Sequence, residues 1–494
     1  MNDDTRASSD PAPNPFSEQH VLQESPLSPL SPSVPASSSQ HWQQGTCIEL
    51  DIQDLSNRGD GVGRWGDRVV FVPDAVPGDR LLVRLIHTKP SYGHGKIQQI
   101  LTPSPHRVRP VCIVADKCGG CQWQSVDYDQ QLLAKHNEVV QALTRIGDLS
   151  DPPVDDVLAA EPFGYRNKAT YPLGRSPSTG QVQAGYYQKG SHKLVNLNQC
   201  PVQDERLNPL LAEVKQDIQT RGWSIYNEQR HQGRLRHLSL RIGQRTGEML
   251  LTLVASEAEW EGLTEQANEW LERYPALVGV LLNLNSQKTN AIFGAETRCV
   301  AGQPFITEQF ANLTFQIGAT TFFQVNTEQA ERLLQVILDE LKLTGREVLM
   351  DAYCGVGTLT LPLAEHVREA IAIESHEPSV EQAQMNASIN GINTIMFHVG
   401  SVEEVLPILL EEGLNSVDVV VLDPPRKGCT SKVLEALLVM QAPRIVYVSC
   451  NPATLARDLN MLCRDGVYQL TRVQPVDLFP QTAHVECVAF LERP

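Results

Sequence analysis

Four short apolar runs in the last third of this 494-residue chain constrain its fold more than any other feature. They are Val348-Leu349-Met350, Ala370-Ile371-Ala372-Ile373, Val417-Asp418-Val419-Val420-Val421-Leu422 and Arg444-Ile445-Val446-Tyr447-Val448. Runs of this length and apolarity belong to strands buried on both faces, and helical stretches separate them here. Strands alternating with helices give parallel crossover units. A helix is expected from Thr327 towards Leu343, with Asn326 as its N-cap and Gly345 beyond its end. Residues 319–494 are therefore expected to form a Rossmann-like, doubly wound α/β domain.

The rest of the chain reads differently. Residues 1–40 hold ten Ser and seven Pro, too little apolar surface to offset the entropy of ordering, so a disordered tail is expected. Residues 41–105 alternate apolar and polar positions between Gly-, Asp- and Pro-rich turns, the pattern of a small OB-like β-barrel. Arg58, Arg64, Arg68, Lys89 and Lys96 lie near those turns and suit an oligonucleotide partner. Residues 106–318 are expected to be a β-rich central domain. Within it, one helix spans about 127–147 and a hairpin joins His237–Ile242 to Met249–Leu253.

A net charge of −17 argues against a nucleic-acid partner until it is divided by region. Residues 241–494 carry 17 bases and 32 acids, whereas residues 41–240 are slightly basic. Residues 162–203 contain Arg166, Lys168, Arg175, Lys189 and Lys193 and no acid, interleaved with Phe163, Tyr165, Tyr171, Tyr186 and Tyr187. Cations for phosphates and rings for stacking are what single-stranded RNA recognition uses, although a sheet with a solvated basic face reads the same way. No apolar run is long enough to span a membrane and no secretory leader is evident, so a cytoplasmic protein is expected.

The α/β segment carries the chemistry. Asp351-Ala352-Tyr353-Cys354-Gly355-Val356-Gly357-Thr358 joins the first strand to a helix through a glycine turn, which lets a ligand approach the backbone. Thr360 stands where a dinucleotide fingerprint needs a third glycine, so a pyrophosphate is disfavoured. Glu374 ends the second strand, where a carboxylate can accept both ribose hydroxyls. A nucleoside without phosphate, such as S-adenosylmethionine, fits better than NAD. Asp423-Pro424-Pro425-Arg426 and Ser449-Cys450-Asn451-Pro452 follow apolar strands and so reach the same sheet edge. Cys450 is a candidate nucleophile or an inert buried thiol, and Glu486 a general base or an ordinary strand residue. A thiol, a carboxylate and a methyl donor suffice to methylate carbon 5 of uracil. Thiolate addition at carbon 6 makes carbon 5 nucleophilic, and a base then removes its proton.

Cys112-x5-Cys118-Gly-Gly-Cys121, with Cys200-Pro201 as a fourth candidate, suits an iron–sulfur cluster or zinc; the final Cys-Pro favours a four-iron cluster. Enzymes that methylate exocyclic amines also carry Asp-Pro-Pro loops, but place an aromatic ring where Arg426 stands and need no thiol. A noncatalytic RNA-binding protein would need neither Cys450 nor Glu486.

Together these motifs resemble the bacterial 23S ribosomal RNA uracil-5-methyltransferases, which have an N-terminal TRAM domain and an iron–sulfur cluster. The resemblance spans about residues 42–494. It implies that Cys112, Cys118, Cys121 and Cys200 hold a 4Fe-4S cluster. Through Phe322-Phe323-Gln324-Val325-Asn326 it makes Gln324 a contact of S-adenosylmethionine, along with Tyr353, Glu374 and Asp423 and, more weakly, Ser401. It implies Cys450 as nucleophile, Glu486 as base, 23S rRNA as partner and no obligate protein partner. The tRNA-directed relatives share the catalytic motifs without the barrel and the cysteines, which favours ribosomal RNA.

Overall fold

A computed structural model describes residues 42–414 and 417–494; the Ser/Pro-rich stretch 1–40 lies outside the described residues. The expected barrel is present. Strands β1 (Cys47–Leu55), β2 (Gly61–Trp65), β3 (Arg68–Val72), β4 (Arg80–Thr88) and β5 (Tyr92–Thr102) close in the order β1-β2-β3-β5-β4. Alternation puts Ile48, Leu50, Ile52, Val70, Val72, Leu81, Val83 and Leu85 inside it. Helix α1 (Tyr128–Arg145) follows, its N-cap Asp127 accepting from Gln130 N–H.

The central sheet has seven strands in the order β12-β11-β10-β9-β6-β7-β8. They are β6 (Lys168–Arg175), β7 (Val182–Tyr187), β8 (Leu194–Asn196), β9 (Leu235–Ile242), β10 (Met249–Ala255), β11 (Leu277–Leu284) and β12 (Glu296–Gly302). The expected hairpin is β9–β10, antiparallel. Helices α2 (Leu207–Thr220) and α3 (Leu263–Arg273) cover one face through Leu210, Leu211, Val214 and Trp270.

Both ends of the 106–318 segment pack outside that sheet. Val139, Ala142 and Leu143 of α1 join the core of the C-terminal sheet, and so do Ile306, Phe310, Phe315 and Ile317 of the hairpin β13 (Phe305–Phe310)–β14 (Leu313–Gly318). Amphipathic periodicity shows that a face is buried, not against which body.

The C-terminal domain is doubly wound as expected. It contains α4 (Thr327–Leu341), β15 (Val348–Asp351), α5 (Thr360–Ala364), β16 (Glu369–Glu374), α6 (Glu377–Ile389), β17 (Ile395–Val399), α7 (Val402–Glu411) and β18 (Val419–Leu422). Then come α8 (Ser431–Met440), β19 (Arg444–Ser449), α9 (Pro452–Cys463), β20 (Gln469–Val476) and β21 (Glu486–Glu492). The sheet order is β17-β16-β15-β18-β19-β21-β20. The first five of these are parallel, and β21 runs antiparallel between β19 and β20. No helix among the described residues is long and apolar enough to cross a membrane.

Candidate functional site

The inserted strand β21 organises the chemistry. Its ladder with β19 ends at Ser449 opposite Cys487, so the next opposed positions are Cys450 and Glu486. On its other side Glu486 pairs with Val476. A thiol and a carboxylate 36 positions apart in sequence thus meet across one strand spacing. Glu486 is buried and Cys450 partly so. Burial pushes the Cys450 thiol up to about 11; the Glu486 charge adds to this, and the Arg426 guanidinium opposes it. Burial, with the Asp423 charge next, holds the Glu486 carboxyl well above the usual range, again against Arg426. Arg426, whose side chain is exposed, is therefore a cation acting on both groups.

Beside this pair lies a crevice at the carboxyl ends of β15 and β18. Gln324, Tyr353 and Asp423 line it, with Asp351, Gly355, Phe310 and Phe322. Asp351, which motif reading left without a role, is 1 % exposed and accepts from Thr360 Oγ1 (2.6 Å) and Tyr353 N–H (3.1 Å). Burial pushes its carboxyl up to about 6; burial and the Asp351 charge push Asp423 up to about 7. A strand-end acid buried behind a glycine turn was the signal that could have marked it. The enclosed part of the crevice is small, about 50 Å³. Glu374 lies outside it, accepting from Gly355 N–H (3.2 Å) and His376 N–H (2.8 Å), so a ligand reaching from Asp423 to Glu374 crosses the Gly355 turn. Gly355 has φ +53°, and a Cβ there would meet nothing within 4 Å, leaving open space for a ligand. Ser401 does not line the crevice. It is the N-cap residue of α7 and its hydroxyl donates to Glu404 Oε2 (2.8 Å).

The loop 477–485, which joins β20 to β21, is fixed from outside its own domain. Asp477 forms a fully buried ion pair with Lys135 (2.6 Å) and accepts from Tyr128 Oη (2.9 Å). The Gln481 carbonyl accepts from Gln122 and Trp123 N–H, both at 3.1 Å, while its backbone N–H donates to Gln131 Oε1 (3.0 Å) and its Oε1 accepts from Gln131 Nε2 (3.2 Å). Gln481 holds a left-handed φ of +69° to do so.

Gln122 follows Cys121, and the loop also reaches the cysteines. Cys112, Cys118, Cys121 and Cys200 line one cavity of about 140 Å³, together with Tyr165, Arg166, Tyr186 and Thr482. Among the described residues no three His, Cys, Asp or Glu side chains are gathered closely enough to grip one metal ion. Of the five rings in the basic 162–203 segment, Tyr171 and Tyr165 are buried in cores and cannot stack on bases; Tyr187 is exposed. Strand alternation turns Tyr171 inward on β6, whereas Tyr165 precedes that strand and packs with Cys200 and Val202.

Known proteins share this architecture. The sequence profile of the tRNA (uracil-5-)-methyltransferase family matches residues 127–494, and that of the TRAM domain matches residues 41–97. An uncharacterized RNA methyltransferase of Nostoc sp. is 64% identical over 91% of this chain and 97% of its own length. One from Bacillus cereus is 39% identical over 90% of this chain and 96% of its own. The crystal structure of Pyrococcus abyssi tRNA (uracil-54, C5)-methyltransferase in complex with S-adenosyl-L-homocysteine superposes with a TM-score of 0.71 and 28% identity. That match covers 90% of this chain and all of that one. On this evidence the chain belongs to the RNA uracil-5-methyltransferase family and carries the TRAM domain at its N-terminal side.

Proposed function

We propose that the protein transfers a methyl group from S-adenosylmethionine to carbon 5 of a uridine in 23S ribosomal RNA through a covalent adduct on Cys450. The observation that carries this reading is the register of β19 against β21, which ends at Ser449 opposite Cys487 and so brings Cys450 and Glu486 together beside the crevice, where the Glu486 charge acts on the Cys450 thiol. S-adenosylmethionine, when bound, supplies an electrophilic methyl group. Tyr353, Gln324 and Asp423 would hold it, with Glu374 on the ribose hydroxyls.

The Cys450 thiolate adds to carbon 6 of the flipped-out uracil, and the displaced electron pair makes carbon 5 the nucleophile. Carbon 5 takes the methyl group, leaving S-adenosylhomocysteine. Glu486 then accepts the carbon 5 proton. The carbon 5–carbon 6 double bond re-forms and expels the thiolate. Arg426 favours the anionic form of both side chains, which the two steps require.

The four thiols fit a cluster better than a lone ion. Tetrahedral zinc draws its sulfurs to ≈ 2.3 Å, whereas the four cysteines share with Tyr165, Arg166, Tyr186 and other residues the lining of one cavity of about 140 Å³. Cys112, Cys118, Cys121 and Cys200 would hold a 4Fe-4S cluster, whose chemistry here is to fasten the loop that also anchors Gln481. Anaerobic purification with iron and zinc analysis decides: stoichiometric zinc without iron refutes the cluster.

A second reading, a tRNA substrate, is favoured by one finding. The Pyrococcus tRNA enzyme aligns over 90% of this chain, so the regions outside the catalytic domain do not by themselves select ribosomal RNA. Tritiated methyl transfer to unmodified 23S rRNA and tRNA transcripts separates the two. Cys450→Ala should abolish transfer to whichever is methylated; unchanged turnover would refute the covalent route.

A further inference from the structure

One cationic group in the central domain has no role in the chemistry above. In the β6–β9 ladder Lys168 stands directly opposite Arg241, and Thr170 opposite Ser239, so all four side chains share one face of the sheet. The other face, with Ala169, Tyr171, Leu238 and Leu240, is the one packed by α2 and α3. Two like charges set directly opposite each other destabilise a sheet. Here they are also largely removed from water: Arg241 is 3 % exposed, and Lys168 is partly buried. Arg166 adds a third cation, its Nε donating to the Lys168 carbonyl (2.9 Å).

None of the three forms an ion pair with a carboxylate among the described residues. What they touch is backbone and ring. Lys168 Nζ donates to the Ala319 carbonyl (3.3 Å) and lies 5.3 Å from the centroid of the Phe293 ring. One Arg241 nitrogen donates to the Thr321 carbonyl (2.5 Å), while its buried Nε has no partner. Burial first, then the Arg241 and Arg166 charges, pull the Lys168 ammonium down to about 6. An arrangement this costly is stabilised by an anion.

Its position says which anion. The carbonyls it engages belong to Ala319 and Thr321, just before Phe322 and Gln324 at the crevice. Asn167, adjacent to Lys168, donates to the Gln324 carbonyl (2.9 Å). Lys168 and Arg241 therefore lie against the segment 319–324 that leads into the crevice. On the solvent side Phe293 ends an exposed loop that the buried Arg236 holds by donating to the carbonyls of Asn285, Gln287 and Thr289.

We propose that Lys168, backed by Arg241 and Arg166, holds a backbone phosphodiester of the RNA substrate next to the target uridine. This rests on the RNA-methylating reading above. Lys168 and Arg166 are partly exposed and Arg241 is buried, and the two arginines keep Lys168 short of compensating charge until the phosphate arrives. On binding, Lys168 becomes protonated, so association at pH 7.5 takes up a proton and weakens as pH rises.

The test uses the full chain and an unmodified transcript that it methylates. Filter binding is measured across salt concentrations for wild type, Lys168→Met and Lys168→Arg. Lys168→Met keeps the stem over Phe293 and removes the charge. It should bind about tenfold more weakly at low salt, with the slope of log affinity against log salt shallower by about 0.7–0.9. Lys168→Arg should restore the slope. Calorimetry in two buffers of different ionisation enthalpy should show proton uptake in the wild type and none in Lys168→Met.

Equal slopes in wild type and Lys168→Met overturn the proposal, as does a lowered slope in Lys168→Arg. Inorganic phosphate alone producing the same proton uptake would assign the group to a free anion and overturn the RNA assignment. Failure of the wild type to methylate any RNA refutes the parent reading instead, whereas methylation with an unaltered Lys168→Met slope refutes only this site.

Discussion

Replacing Lys135 with Met tests the most consequential contact outside the catalytic strands. Both members of the Lys135–Asp477 pair are fully buried and 2.6 Å apart. Asp477 opens the loop that leads to Glu486. Met preserves the length and packing of the lysine stem but leaves Asp477 with only Tyr128 Oη and the Phe479 N–H as partners. Breaking a buried pair from one side costs about 3–5 kcal/mol, because the remaining charge is uncompensated. With a urea dependence of about 3 kcal/mol/M, the midpoint of the unit containing the pair should fall by roughly 1–2 M. Trp123 is a local reporter, since Lys135 Nζ lies 5.8 Å from its ring centroid. Its fluorescence should report the shifted transition. Adding Asp477→Leu removes the stranded charge and should recover most of the loss. A single-variant cost below about 1 kcal/mol, or a double variant no more stable than the single, would refute the reasoning.

Three further outcomes are expected. Glu486→Gln keeps the shape of the side chain but removes the proton acceptor, so methyl transfer should stall after addition; a covalent protein–RNA species should accumulate on denaturing gels, and turnover without it would contradict the role. Asp423 and Asp351 hold protons at about 7 and 6, above their unfolded values. Folded protein therefore binds more protons than unfolded between about pH 4 and 7, and the stability of the ligand-free protein should decline across that window and level off above it. S-adenosylmethionine is cationic, so its affinity should rise from pH 6 to 8 with proton release, as calorimetry can read. Gly357→Ala should weaken cofactor binding and lower the melting temperature, because φ is +85° and the new Cβ would meet Leu361 Cδ1 at 2.0 Å.

Much of this was legible in the residues. The apolar runs at 348, 370, 417 and 444 read as buried parallel strands because a strand covered on both faces has almost no polar side to disguise it. Asn326 announced a helix start through the donor group it satisfies. Other features depended on contacts distant in sequence. The insertion of β21 between β19 and β20 is a long-range pairing that no local pattern encodes. Tyr171 reads as a stacking ring in a basic stretch, yet its strand turns it into the core against α2 and α3. Ser401 sits at the expected strand end, but its hydroxyl is spent on Glu404. Lys168 looked like one of five equivalent cations until the ladder placed Arg241 across from it.

The opposition of Cys450 and Glu486 has a consequence for how the site can vary. Opposed residues in an antiparallel ladder stand about 4.5–5.5 Å apart at Cα, a spacing fixed by the peptide hydrogen bonds. Cys450 directly follows the last such pair, Ser449 and Cys487, and Glu486 directly precedes it in β21, so the backbone of the ladder rather than the core sets how far apart the thiol and the carboxylate start. Only the side chains themselves set the remaining gap, so Glu486→Asp withdraws the acceptor by one methylene with nothing in the scaffold able to compensate.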